Sequence, residues 1–344
     1  MEKKKRYIED LRIISMLAVV MIHVCITALS DFPDSGSTLW RVIYQSIRNI
    51  LRFAVPVFFM ISGALLLNPQ KVITLEKLIK KYIVKYTAVI VIFGWAFALI
   101  EEVFHHRDFS FSYLGTSFVN MLQGQTWNHM WYMYSLLGVT MILPLLKAAT
   151  ATFTKKEMQY FVIVCFLFLS VIPYFCALTG KESGVHLAIS SVYALYMIVG
   201  YLLDTYRPKN TIVYLVIIVA GVVMLILEAY FTIVLNRELA FSNYNSPVVF
   251  LFSVAVFALV CSKEIPNKQE NVKLSKVKSF LSVNSFGVYI IHMLWINLIY
   301  KFLKWNPFSF NAFAGLIIIW IVVTGLSLLS TVIMRHIVVL KKLI

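Results

Sequence analysis

The sequence predicts an all-α polytopic membrane protein with about ten transmembrane helices and both termini in the cytoplasm. Composition is the first of three observations behind this. Of 344 residues, 60% are hydrophobic and only 14% charged, with a mean hydropathy of +0.82, whereas soluble domains carry about a quarter charged residues. The second is a series of apolar windows long enough to span, at 11–30, 48–67, 79–103, 129–149, 159–178, 185–204, 211–235, 246–262, 279–300 and 312–334. The second, fourth and eighth are weakest, being short or interrupted by polar residues. The third is charge placement. With the N-terminus inside, 23 of the 31 Lys and Arg fall in alternate, cytoplasmic segments and 8 in the outer ones, as the positive-inside rule requires. That count puts Lys181 outside and Lys268 inside.

Residues 1–344 read as one transmembrane domain with no linker, low-complexity tract or internal repeat. The N-terminal Lys3, Lys4, Lys5 and Arg6 precede a long apolar run without a small-x-small cleavage site, which reads as an uncleaved first span. The net charge of +15 does not point to nucleic acid, because the charges sit in short loops where topology explains them. Two longer non-spanning stretches are expected, 104–128 outside and a Lys-rich 263–278 inside. The four cysteines, Cys25, Cys165, Cys176 and Cys261, form no metal spacing and read as core packers. No metal is expected.

Chemistry centres on the run from Arg12 to His23. Eleven steps at 100° return to within roughly 20° of the starting face, and a 1.5 Å rise separates the two by roughly 16 Å. If Arg12 sits at one membrane surface, His23 lies near the middle. An ionisable group at that depth is a functional-site candidate. Arg48 and Arg52 share a face of the second span and enter from outside, suited to a polar or anionic acceptor. Ser62-Gly63 permits close helix approach. Lys80, Lys81 and Lys85 open the third span on the cytoplasmic side, as anchors or as a phosphate site. His129, beside Trp131 and Tyr132, is expected at the outer interface, within reach of an acceptor hydroxyl. Ser285, Tyr289 and His292 form a polar stripe at i, i+4 and i+7 on the ninth span, either a bonded network or a second wall of the cavity. His105 and His106 read as solvated. No G-x-S-x-G, Walker A, G-x-G-x-x-G or H-E-x-x-H motif occurs, so serine hydrolase, ATPase and metalloprotease chemistry have no support.

Five motifs occur in order. They are Asp10-Leu-Arg12 running to His23, Arg52-Phe-Ala-Val-Pro-Val-Phe-Phe-Met-Ile-Ser-Gly63, His129-Met-Trp-Tyr132 with Pro144, Ser285-Phe-Gly-Val-Tyr-Ile-Ile-His292, and Arg335-His-Ile-Val-Val-Leu-Lys-Lys342. The set resembles the integral-membrane acyltransferase family 3 over essentially the whole chain. The resemblance implies a ten-helix bundle that moves an acyl group, usually acetyl, from cytoplasmic acyl-CoA to a cell-envelope glycan or lipid-linked sugar. It implies His23 as the catalytic histidine and Arg12 as its partner in the Arg-x10-His pattern. Members often carry Arg-x-x-Arg at the start of the third span, linked to CoA phosphates. Here the nearest equivalents are Lys81 and Lys85, with one more residue between them. Many members carry a fused extracytoplasmic domain, and this chain resembles the stand-alone ones.

The expected enzyme is thus an O-acetyltransferase with no permanently bound cofactor and acetyl-CoA, or another short acyl-CoA, as co-substrate. Arg12, Lys81 and Lys85 would hold the donor. Arg48, Arg52, His129, Trp131, Ser62, Ser285, Tyr289 and His292 would line the acceptor side, with Ser62, Tyr289 and Arg52 as candidate oxyanion donors. Expected partners are acyl-CoA, the glycan or lipid-linked acceptor and the lipid bilayer, in a bacterial cell membrane. The alternative is a transporter or flippase of a small anion or lipid-linked sugar. Missing repeats and a lack of acidic residues inside the spans weigh against a proton-coupled version of it.

Overall fold

The apolar windows fold as helices, and polar cap residues start most of them. The computed structural model describes residues 5–180, 191–263 and 271–344, with no strand among them. In chain order the helices are α1 Arg6–Asp31, α2 Thr38–Leu51, α3 Ala54–Leu66, α4 Leu75–His106, α5 Ser112–Leu122, α6 Asn128–Met141, α7 Leu143–Thr152, α8 Lys155–Thr179, α9 Val192–Thr205, α10 Thr211–Val234, α11 Pro247–Ser262, α12 Val272–Phe302 and α13 Ala312–Met334. The short α14, Val338–Lys341, follows. Ser37, Thr74, Asn210, Ser246, Asn271 and Asn311 each accept a hydrogen bond from a first-turn backbone N–H. Thr154 and Glu157 form a reciprocal capping box before α8. Each satisfies donors that a helix start leaves without an intrahelical partner.

Among the described residues, seven helical segments are long and apolar enough to span, with α2 and α3 counted as one. The α6–α7 pair, bent by 52°, makes an eighth. α9 and α11 are shorter apolar helices. All ten predicted windows therefore coincide with helical rods, although residues 185–190 of the sixth lie outside the described residues, as do Lys181 and Lys268. The second rod begins ten residues earlier than its apolar window, because polar α2 precedes apolar α3 and the helix breaks at Arg52-Phe53. The bend in the fourth falls at Ile142, where Pro144 enters the first turn of α7. Stretch 104–128 contains an unforeseen helix, α5. It is pinned by the Trp95 Nε1–H, which donates to Leu114 O at 3.1 Å and Ser117 Oγ at 2.9 Å.

Burial separates centre from rim. The most apolar windows of α1, α2–α3 and α12 are 61% buried, against 11% for α8 and 22% for α10. α1 packs against α2, α3, α11, α12 and α13, which makes it the hub. Its functional residues are therefore surrounded by protein, while α8 and α10 present bare aliphatic faces suited to lipid.

Polar ties join the segments that the charge count grouped together. On the Lys/Arg-rich face, Lys5 pairs with Asp204 at 2.5 Å and Lys278 with Asp10 at 2.9 Å. Lys147 and Thr150 of α7 donate to the carbonyls of Leu66, Leu67 and Asn68, closing the end of α3. On the opposite face, Lys301 pairs with Glu101 at 3.1 Å, and Asn306 donates to Ser35 Oγ at 2.8 Å.

α3 and α9 meet backbone to backbone. A methyl at Gly63 would lie 1.8 Å from Met197 O, and one at Gly200 2.1 Å from Met60 O. The close approach expected of Ser62-Gly63 is thus real, and its partner is Gly200. Gly200→Ala is expected to destabilise the fold by about 1–3 kcal/mol through overpacking. Gly325→Ala, which meets nothing within 4 Å, is expected to hold or slightly raise stability. Thermal unfolding in detergent checks both.

Candidate active site

Three imidazoles meet at the centre of the bundle. His23 comes from α1, His129 from the 3-10 turn Asn128–Met130 that opens α6, and His292 from α12. Ring centroids lie 5.1 Å apart for His23–His292, 5.1 Å for His129–His292 and 6.3 Å for His23–His129. His129 and His292 are fully buried; His23 is half-buried.

Backbone carbonyls set the tautomers of the two buried rings. Ile290 O lies 3.0 Å from His129 Nε2, and Tyr289 O lies 2.7 Å from His292 Nδ1, with Val288 O at 3.2 Å. A carbonyl only accepts, so in each neutral ring that nitrogen carries the proton. His129 Nδ1 and His292 Nε2 are then bare lone pairs, buried and without a hydrogen-bond partner. Leaving a buried acceptor unpaired costs about 1–3 kcal/mol, so two side by side mark a reactive site. The Tyr289 hydroxyl donates to His129 O, which fixes the turn that presents the ring. His23 makes no hydrogen bond within the described residues. Two imidazoles flank it, and part of it is open.

A cavity of about 1030 Å³ opens on the Lys/Arg-rich face, at the upper end for small-molecule sites. Arg12, Lys81 and Lys85 all line it, with Arg335 and Lys342 opposite. The π-helical turn Ile79–Ile83 in α4 holds one more residue per turn than an α-helix. Lys81 lies in that turn and Lys85 just beyond it, four residues on, and both line the same space. The inner wall carries Ser62, Tyr132, Ser285 and Tyr289. The stripe on α12 thus runs from the cavity, through Ser285 and Tyr289, to the imidazole cluster at His292. On the opposite face a second cavity of about 440 Å³ includes Thr27, one turn beyond His23 on α1.

The arginines of α2 belong to another layer. Arg52 donates to Ser242 O at 2.6 Å and lies 5.3 Å over the Tyr244 ring. Glu228 of α10 is buried, and its Oε2 has no hydrogen-bond partner. The Nε atoms of Arg48 and Arg52 have no partner. Neither arginine lines either cavity. Burial raises the pKa of the Tyr244 phenol in the adjoining loop, and the two arginines oppose that rise.

Four expectations change. His129 is not at an interface; the 3-10 turn folds it inward, where Ile290 O holds it. Trp131 lines neither cavity; its ring packs 5.1 Å from Tyr244 and 5.6 Å from Tyr193. Ser62 and Tyr289 are weak oxyanion donors, since their hydroxyls already donate to Phe58 O and His129 O. Arg52 Nε stays uncommitted. Acidic residues do occur inside the spans: Glu228 is buried there. Sequence reasoning also missed Tyr132, Arg335 and Lys342 as cavity walls. Nothing local marks them, because three remote segments bring them together. No group of three or more His, Cys, Asp or Glu able to hold a metal occurs among the described residues.

A protein family described as an acyltransferase domain, the acyltransferase family 3, matches residues 5–336 of the chain. No curated protein and no solved structure matches it significantly. Tyr289→Phe is expected to cost about 1 kcal/mol by removing the bond to His129 O. It should loosen the His129 turn, which a lower melting temperature and faster amide exchange at 128–130 would reveal.

Proposed function

The chain belongs to the acyltransferase family 3, and on that premise we propose that it transfers a short acyl group, most simply acetyl, from cytoplasmic acyl-CoA to a hydroxyl of a cell-envelope glycan or lipid-linked sugar. The supporting observation is the placement of the imidazole cluster between two cavities that open on opposite faces. Phosphates of CoA carry several negative charges. The larger cavity meets them with Arg12, Lys81, Lys85, Arg335 and Lys342. Tyr132 and Tyr289 narrow its inner end toward the histidines, a passage for a thin pantetheine arm.

In this reading His23 takes the proton from the acceptor hydroxyl as that oxygen attacks the thioester carbonyl. The tetrahedral adduct collapses, the C–S bond breaks, and the thiolate recovers the proton from the imidazolium. The variant in which His23 attacks first, forming an acyl-imidazole, uses the same atoms. Either way, His23 must present one lone pair and shed or hold one N–H. The bare His292 Nε2 and His129 Nδ1 are acceptors for that N–H once the His23 ring turns toward them. They orient the ring and stabilise its charged form.

Three outcomes test this. His23→Ala in purified protein should lower CoA release from acetyl-CoA, with a glycan acceptor extract present, by about 10²-fold or more. Unchanged release would remove His23 from the chemistry. His292→Phe keeps the ring but loses the lone pair, and should lower kcat with little change in the acyl-CoA KM. Combined Lys81→Ala and Lys85→Ala should raise that KM several-fold at low salt and less at high salt, with kcat retained.

A further inference from the structure

The second cavity differs in character from everything on the Lys/Arg-rich face. Its volume is about 440 Å³, and three carboxylates, Asp31, Glu101 and Glu102, line it together with one ammonium, Lys301. Lys301 is already paired with Glu101 at 3.1 Å. His106 lies 3.6 Å from Glu102, and His105 is the remaining titratable group in the wall. With both histidines neutral, the cavity keeps an excess of two negative charges.

Two uncharged side chains give it a built floor. Thr27 and Asn297 are only 7% and 6% exposed, both line this cavity, and neither side chain makes a hydrogen bond within the described residues. Polar side chains this deep are normally satisfied by neighbours. These instead keep their hydrogen-bonding capacity facing the empty space. Thr27 is one turn beyond His23 on α1, and Asn297 lies five residues beyond His292 on α12. At 1.5 Å per residue the floor is therefore about 6–8 Å from the imidazole cluster. Donors and acceptors fit for hydroxyl groups lie at the bottom, and carboxylates lie at the rim.

We propose that this cavity is the acceptor subsite, and that its ligand is a polyhydroxylated molecule carrying an ammonium group, such as an amino-sugar unit. The inference rests on the acyl-transfer reading only for the word acceptor. Asn297 and Thr27 bond the hydroxyls, which brings one of them to His23. Asp31 and Glu102 hold the ammonium. Acidic sugars are rejected by the same carboxylates. No bond is made or broken at this subsite.

The test is a binding measurement on His23→Ala protein with no acyl donor present, so it does not depend on transfer. The probes are methyl glucosaminide, methyl glucoside and methyl glucuronide, compared by titration calorimetry at low salt where the amine is protonated. The glucosaminide should bind about fivefold more tightly than the glucoside, from one or two partly exposed ion pairs, with the glucuronide weakest. Glu102→Gln with Asp31→Asn should abolish the ranking, while Asn297→Leu should weaken glucosaminide and glucoside alike. An unchanged thermal unfolding midpoint in detergent shows that each variant is folded. Equal affinity for the three probes, preference for the glucuronide, or a ranking that survives loss of both carboxylates would overturn the proposal. If the ranking holds but purified protein never consumes acyl-CoA, the transfer reading fails and the subsite stands. The reverse pattern separates them the other way.

Discussion

The structure depends on two backbone carbonyls that each take a proton-bearing imidazole nitrogen and thereby bare the other one. Ile290 O and Tyr289 O are consecutive carbonyls of α12. They hold His129 from one helix and His292 from their own, so the two lone pairs converge beside His23 from fixed directions. In a membrane interior no bulk water can satisfy such groups. The arrangement persists only because the rest of the bundle over-determines it. α1 is clamped by five helices, the His129 turn is tied by the Tyr289 hydroxyl, and α3 is locked to α9 through Gly63 and Gly200.

From that cluster the chemistry divides by face. The wide side is a cationic basin whose charges come from α1, α4 and the C-terminal segment. The narrow side is carboxylate-rimmed with an amide and a hydroxyl at its floor. The two faces thus carry opposite charge, with the imidazole cluster between them. The π-helical turn in α4 contributes to the same end. Lys81 lies in it and Lys85 just after it, and both line the one basin.

Much of the fold was legible in the sequence because the signals are local. Apolar windows, Ser, Thr and Asn caps and alternating loop charge are each read within about twenty residues. Helix α5 escaped because its stability comes from Trp95, far away in sequence. The α2–α3 rod was cut short because a window scan sees hydropathy and α2 is polar. Among the candidate residues, His23, Arg12, Lys81 and Lys85 were legible from helical geometry, resemblance and charge. His129 was found but misplaced, because nothing in Trp127-Asn-His-Met-Trp131 says that a 3-10 turn will fold inward. Asn297, Thr27 and Glu102 gave no signal at all. Their meaning comes from a cavity that joins α1, α4 and α12 only after folding.

The proposed transfer requires that one imidazole be reached from both faces of the bundle. His23→Cys, placed in a chain whose Cys25, Cys165, Cys176 and Cys261 are replaced by alanine, allows that access to be read directly in sealed, oriented vesicles. A membrane-impermeant thiol reagent added to either side should modify residue 23. Acetyl-CoA should protect it only when added with the reagent on the Lys/Arg-rich face. Modification from one face alone, or from neither, would contradict the account.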